Sequence, residues 1–421
     1  MEHRYKVVQV KLNLDRRTRE YCKFLQQESA RVWNDTVNYH WNHVNDNDGK
    51  WLSATELKAI TKGGQYNLHS GSIQSVIEQF CENRKTAKIL RESNPLIKYP
   101  YKTKKHFRIL WKGTGNAPAF KVKGRKIYLS NGKGNKPLKL NLPKSLASLQ
   151  PVTVQLIWRN GYWLSLTIKT KNPLSIGVGC GYVACDMGEI HAMTLTDGYD
   201  SLVISGRKLR EVKQYRNKRL AELTKAMSRC KRYSRRWRKL NRTKKRIMER
   251  TRRRIKDLNH KITYKAIKWC LDHNASNIAV GYLNGIAQNT KGRLPRKVRQ
   301  KISQWEYHKQ KQYLIDKGAK VGIKVIDVSE AYTSKTCPYC GTINPTNDRN
   351  YSCSKCNLKC HRDVVGACNI LSMAYYGALV PDRMFRPPTT KYLRIPFTPK
   401  RVRRVKGKSS SSPDVGLASI Q

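Results

Sequence analysis

Acid is scarce in this chain. Against 85 lysines and arginines stand 28 aspartates and glutamates in 421 residues, giving a formal net charge of +57 and a pI near 10.2. So large an excess exceeds what solubility needs and points to nucleic acid as partner, because neutralising phosphates releases counterions and binds strongly. Long apolar runs are also missing, so no span is expected to cross a bilayer. The basic stretches are not gathered on one amphipathic helix, which sets a membrane surface aside as well. The opening residues MEHRYKVVQVKLNL carry no h-region of a secretory signal. A disulfide framework is absent too: of twelve cysteines, four fall in two close pairs and the rest are scattered singly, the usage of a reducing compartment. The expected location is cytoplasmic and nucleoid-associated, with no membrane and no small-molecule substrate among the partners. No internal repeat is visible. The hydrophobic fraction of 39% is nevertheless enough for real cores, and the length allows several domains.

What is present concentrates between Glu330 and Asn369, EAYTSKTCPYCGTINPTNDRNYSCSKCNLKCHRDVVGACN. Two C-x-x-C knuckles, Cys337 with Cys340 and Cys353 with Cys356, lie about a dozen residues apart, the pattern of a zinc ribbon. Each knuckle presents two sulfurs from one tight turn, and four thiolates close a tetrahedron with no open position for water. The expected Zn2+ is therefore structural. Cys360 breaks the pair spacing and is left out. The insert is bracketed by acids: Glu330 ends the β-branched run VGIKVIDVSE, and Asp363 stands directly before an apolar-periodic segment, where an Asp can cap a helix. In so acid-poor a chain, two carboxylates flanking one motif suggest a metal site.

In chain order, YKVVQVKLNL alternates like a strand. Leu25, Ala30, Val32, Trp33, Val37 and Trp41 then line one helical face, read as core rather than as an aromatic binding platform. Helical pattern continues to about Pro95. From about Lys98, short strands with Gly and Asn turns (SNGKG, RNG) suggest a small β-barrel into which the first strand pairs. The apolar strand YVACD leads into Asp186, and IHAMTLTDG follows. From Arg207 to Asp272 a cation-crowded helical hairpin bends near Tyr233, with Leu220, Leu223, Trp237, Leu240, Ile247, Ile255, Leu258 and Ile262 as its apolar stripe. So many cations repel one another unless a polyanion meets them. Arg235, Arg236, Arg238, Arg252, Arg253 and Arg254 form its densest part and are the expected nucleic-acid contacts. SNIAVGYLNGI reads as a buried strand and RQKISQWEYHKQKQYLIDKG as a helix. The Pro-, Arg- and Ser-rich tail is expected to be disordered, so that ending the chain near Gly377 leaves folding intact.

YVACDMGEIHAMTLTDG, SQWEYHKQKQYL, YTSKTCPYCG and YSCSKCNLKCHRDVVGACNI together resemble the RuvC-type nuclease half of the TnpB proteins of insertion sequences, relatives of the type V CRISPR effectors. The resemblance extends more loosely to the N-terminal regions and covers most of the chain up to about Gly377. It implies an α/β multidomain fold: an RNase H-like (RuvC) core over 173–336 and 357–377 with an inserted zinc ribbon over 337–356. A β-barrel wedge domain would span 1–14 and 98–172, a small helical recognition domain 15–97, and a tail 378–421. It implies RNA-guided, divalent-metal-dependent cleavage of DNA, with a guide RNA derived from the mobile element and target DNA as partners. Sequence reading would then fall largely to base pairing while the protein holds duplex backbones.

Hydrolysis of a phosphodiester needs charge neutralised on the attacking and leaving oxygens, which two divalent ions about 3.5–4 Å apart supply. Mg2+ prefers carboxylate oxygens with retained waters, so three converging acids are a minimal cage. Asp186 and Asp363 match the first and third positions of the family. At the second, most of the family carries Glu where this chain has Gly281. Glu330, at the end of the next strand, resembles the position used by a branch of the family whose glutamate has moved, and Asp186, Glu330 and Asp363 are the expected catalytic set. Glu306 is a poorer candidate. An alternative is a nuclease-inactive RNA-guided DNA-binding repressor of the same fold; a plain zinc-ribbon RNA-binding protein explains the charge but not the acids.

Overall fold

The computed structural model describes residues 4–113, 118–147, 149–170, 179, 181–282, 294–344 and 348–396. The chain divides into two units, 1–172 and 173–421. In the first, alternation in RYKVVQVK makes β1 (Arg4–Lys11) a strand. Asp15 then starts α1 (Arg16–Asp46) by accepting from the Thr18 amide at 2.6 Å, which satisfies a donor that the first turn leaves without a partner. Leu25, Ala30, Val32, Trp33 and Val37 are buried as the periodicity requires. Trp41 is half-buried, its indole N–H donating to the Pro100 carbonyl at 3.1 Å. A Ser53–Glu56 capping box opens α2 (Ala54–Ile60), and α3 (Ser70–Ser93) packs along α1.

The strands that follow are β2 (Ile109–Lys112), β3 (Phe120–Lys123), β4 (Lys126–Leu129), β5 (Leu138–Asn141), β6 (Pro151–Trp158) and β7 (Tyr162–Thr170). They form two antiparallel sheets, one ordered β1-β7-β6-β2 and one β3-β4-β5. The RNG turn joins β6 to β7 with Asn160 and Gly161 both at positive φ, 50° and 124°, the backbone a tight hairpin demands. Both sheets and the helices share one apolar core around Trp33, Phe80, Trp111, Leu129 and Leu164.

The second unit is organised by a six-stranded sheet. Its elements are β8 (Gly181–Asp186), β9 (His191–Thr196), β10 (Asp200–Ser205), α4 (Arg207–Ser228), α5 (Arg235–Asp272) and β11 (Ala275–Gly281). Then come α6 (Arg296–Ser303), α7 (Tyr307–Gly318), β12 (Lys324–Val328), β13 (Asn350–Ser352), β14 (Lys359–His361), α8 (Arg362–Tyr376) and β15 (Thr389–Leu393). The order is β12-β11-β8-β9-β10-β15. β8, β11 and β12 run parallel, β9 antiparallel, and β15 parallel to β10. Because side chains alternate along a strand, Ala184 and Ala279 meet Ile370 and Leu371 of α8 on one face. On the other, Val183, Cys185, Ile278 and Val280 pack with Ile255, Leu258 and Ile262 of α5 and Leu314 of α7. α4 and α5 form the basic hairpin, turning through Tyr233 at φ 67°. Among the described residues no helix is long and apolar enough to cross a membrane.

Two expectations change, and one strand is new. RQKISQWEYHKQKQYLIDKG is two helices, broken at Gln304-Trp305-Glu306. β10 is a strand in its own right after the turn at Gly198. The tail expected to be disordered from 378 is ordered over its described part: β15 adds to β10, Phe385 packs beside Val203 and Val364, and Leu393 and buried Ile395 join the α5-side core. Residues 397–421 lie outside the described residues. Ending the chain at Gly377 therefore exposes the β10 edge and unpacks three apolar side chains. A chain of residues 1–377 is expected to be less stable than 1–396 by about 2–4 kcal/mol in urea denaturation.

Candidate metal and catalytic centre

The site lies at one edge of the sheet. β8, β11 and β12 are parallel neighbours, so their carboxyl ends fall together, the edge where sheets of this kind bind ligands. Asp186 is the last residue of β8, Gly281 the last of β11, and Glu330 follows β12 by two residues. α8 crosses the same edge and brings Asp363 in its first turn. The helix cap is not Asp363, as the sequence suggested, but His361, whose Nδ1 accepts from the Asp363 amide at 3.2 Å. The Asp363 carboxylate is thereby left for other work. Gly366, one turn on, stands so close to Asp186 that a Cβ there would meet Asp186 Oδ2 at 3.1 Å.

The electrostatics divide the three acids. Burial, then the charges of Asp363 and Glu330, push Asp186 well above the ordinary carboxyl range, with Arg362 offsetting only part. Burial pushes Glu330 up to about 7. Asp363 goes the other way. Burial raises it, but the hydrogen bond from His191 and the charges of His361, His191 and Arg349 outweigh that and hold it below the usual range.

Gly281 and Glu330 are sterically coupled. A Cβ at Gly281 would come within 2.7 Å of Glu330 Oε1 and 2.8 Å of its Cδ. Glu330 therefore occupies the volume into which a side chain at 281 would project. The Tyr307 hydroxyl donates to the Gly281 carbonyl at 2.7 Å and fixes the strand end. Glu306 is engaged elsewhere, with Lys309 at 3.1 Å and the Asn259 amide at 3.5 Å.

The sequence reading passed over three polar residues around Asp363. His191, first residue of β9, has Nδ1 2.6 Å from Asp363 Oδ2; Arg349, between the cysteine knuckles, donates from Nη1 to the same oxygen at 3.3 Å. The ligand atoms of His191, His361 and Asp363 all lie within 4.8 Å of one another, a grouping that could hold a metal ion. The H of HRD was a visible signal for His361; for His191 there was only its place five residues after Asp186.

Sγ of Cys337 lies 3.5 Å from that of Cys356, and Cys340 Sγ 3.5 Å from Cys353 Sγ. All four sulfurs fall within 4.8 Å. A tetrahedral ion with bonds of about 2.3 Å separates its sulfurs by about 3.8 Å, so the donor set fits one. Asn344 adds an amide donor to Cys353 Sγ at 3.3 Å. Cys360 sits in β14 opposite Tyr351, outside the cluster.

The six arginines of α5 are not one cluster. Arg235, Arg236 and Arg238 are exposed at its start, whereas Arg252, Arg253 and Arg254 lie about 25 Å further along at 1.5 Å per residue. Arg252 and Arg253 both pair with buried Glu249, at 2.9 and 3.6 Å.

Residues 181–287 match the OrfB_IS605 family, described as a probable transposase, and 307–370 match the TNB domain of Cas12f1-like proteins. The TnpB-like protein L79 of Acanthamoeba polyphaga mimivirus is 29% identical over 143 residues, 33% of this chain and 26% of that protein. Both matches and the relatives' names point to the TnpB family. It spans about a quarter of the length of that TnpB-like relative. TnpB likeness extends to the CRISPR-associated endodeoxyribonuclease Cas12f1 of Syntrophomonas palmitatica, 24% identical over 102 residues, 24% of this chain and 19% of that one. In fold, the Cas12f1 chain of a cryo-EM complex with sgRNA and target DNA matches 85% of this chain and 83% of its own, with a TM-score of 0.61 at 14% identity. The fold is thus α/β and multidomain, an RNase H-like (RuvC) core with an inserted ribbon beside β-sheet and helical N-terminal regions.

Asp186 and Glu330 keep protons in the folded chain that the unfolded chain has released. Their contribution to stability therefore falls as pH rises from the ordinary carboxyl range through about 7. Melting in EDTA is expected to show a loss of roughly 2 kcal/mol over that window. Mg2+ or Mn2+ should restore it at pH 8 more than at pH 6, and Glu330→Gln should flatten the dependence.

Proposed function

We propose that this TnpB-family chain is an RNA-guided, divalent-metal-dependent DNA endonuclease of a transposable element. The observation that carries the reading is the gathering of Asp186, Glu330 and Asp363 at one sheet edge, with Glu330 in the volume that Gly281 leaves open. Asp186, Glu330 and Asp363 would hold Mg2+, whose ions supply charge neutralisation on the attacking and leaving phosphodiester oxygens. Burial raises both Asp186 and Glu330, and Asp186 is raised further by the charges of Asp363 and Glu330, a strain that a bound cation would relieve. His191 and Arg349 claim one oxygen of Asp363, so the carboxylate is fixed in rotation and ionised before metal arrives. The cysteines Cys337, Cys340, Cys353 and Cys356 would hold structural Zn2+, tying the segment that carries Arg349 to the start of α8.

The partners follow from charge and kinship. Guide RNA and target DNA suit a chain of net charge +57, with Arg235, Arg236 and Arg238 the better placed contacts on α5, ahead of Arg252, Arg253 and Arg254, the first two of which are partly occupied with Glu249. On this reading 15–97 serves as recognition region, 1–14 with 98–172 as wedge, and 173–336 with 357–377 as nuclease domain. Gly281 alone would favour the repressor alternative; Glu330 in the same volume favours the nuclease.

The test is cleavage of a plasmid library with randomised flanks by protein co-expressed with the RNA of its element. Asp186→Ala and Glu330→Ala are expected to abolish cutting while guide-dependent binding persists. Gly281→Glu alone should impair it, because two glutamates compete for one volume, and Gly281→Glu combined with Glu330→Ala should recover cutting. Guide-dependent binding without cutting by the wild type would establish the repressor. Separately, one equivalent of zinc is expected by plasma mass spectrometry, lost together with cooperative unfolding in Cys353→Ser.

A further inference from the structure

Beside Asp363 lies a second feature that the nuclease reading does not use. A pocket of about 310 Å³ is lined by His191, Ser205, Arg207, Arg349, His361, Tyr392 and Arg394, among others. Topology explains why they meet. β10 and β15 are parallel, with Val203 opposite Tyr392 and Ile204 opposite Leu393, so Ser205 and Arg394 leave the sheet at the same edge. β9 is antiparallel and starts there, Ser205 facing His191. α4 also begins there, with Gly206 as its N-cap and Arg207 as its first residue. A helix start adds amide donors suited to an anion.

The chemistry of the lining is that of a nucleic-acid strand site. It holds three arginines and two histidines, and Asp363, the acid nearest to them, is already engaged by His191 and Arg349. Among the described residues neither Arg207 nor Arg394 has an ion pair. Alternation along β15 turns Leu393 into the core and Tyr392 to the other side. There its ring stands edge-on to that of His361, 6.1 Å between centroids, and stays 62% exposed. An exposed aromatic face beside arginines is how proteins hold single strands, bases stacking on the ring and phosphates meeting the cations. The volume is at the lower end for a small ligand, about 300 Å³, room for one nucleotide unit but not a duplex.

We propose that the C-terminal strand β15 completes a single-stranded DNA subsite, in which Arg207 and Arg394 take a backbone phosphate and Tyr392 stacks on the adjoining base, next to Asp363. The proposal rests on the nuclease reading for its purpose, but not for its test. The full chain, loaded with its RNA and kept in EDTA, is photocrosslinked to a single-stranded oligonucleotide containing 5-iododeoxyuridine, and the adducts are mapped by mass spectrometry. A crosslink at Tyr392 is expected. Arg394→Ala and Arg207→Ala should lower its yield about tenfold with melting temperature unchanged. Lys391→Ala, which removes a cation from the same strand outside the pocket, should leave it intact. Equal yields in Arg394→Ala and Lys391→Ala, no adduct within 389–395, or guide RNA crosslinked there in place of DNA would overturn the subsite. Asp186→Ala should keep the crosslink. If the wild type never cuts DNA yet gives the adduct with this dependence on Arg394, the nuclease reading fails and the subsite stands.

Discussion

The second unit depends on the burial of carboxylates that the sheet brings to one edge. Parallel β8, β11 and β12 end at one edge, and α8 arrives at the same place, so Asp186, Glu330 and Asp363 share a half-buried volume. Left alone, such a group takes up protons or comes apart. The remaining features of the edge answer that problem. Asp363 is neutralised by His191 and Arg349, while Asp186 and Glu330 stay high in pKa. Glycines stand at 281 and 366, where a Cβ would come within 2.7 Å of Glu330 Oε1 and 3.1 Å of Asp186 Oδ2. A site that costs stability in the absence of ligand is the ordinary consequence of arranging charge for binding.

The ribbon belongs to the same arrangement. Arg349 lies between the two cysteine pairs, and the ribbon's second strand, β14, runs directly into α8 through His361. A metal held by the four thiols would therefore bear on where Asp363 points.

Much of this was legible in the sequence, for identifiable reasons. Amphipathic periods exposed α1 and the α4–α5 hairpin, apolar runs ending in Asp or Gly exposed β8 and β11, and the cysteine spacing exposed the ribbon. What escaped was contact between residues far apart in sequence. His191 and Asp363 are 172 positions apart and meet only because β9 is antiparallel to β8. β15 escaped for another reason: its surroundings are rich in Pro, Arg and Ser, a composition that reads as tail. Its order comes from pairing with β10 and from burial of Leu393 and Ile395, which no local pattern announces. Likewise the break at Gln304-Trp305-Glu306 lies inside a continuous helical period.

The glycine at 281 bears most directly on whether the centre is intact. Loss of a catalytic glutamate without replacement would leave position 281 open to any small residue, since nothing nearby would object to a methyl or hydroxymethyl group. Here the first carbon of a side chain at 281 would lie 2.7 Å from Glu330 Oε1, so Glu330 in its present rotamer and a side chain at 281 exclude one another until the glutamate swings away. Burial in that volume drives Glu330 up to about 7. Gly281 and Glu330 are thus two halves of one arrangement, in which adjacent parallel strands, paired Gly281 to Val328, offer the same volume from either side.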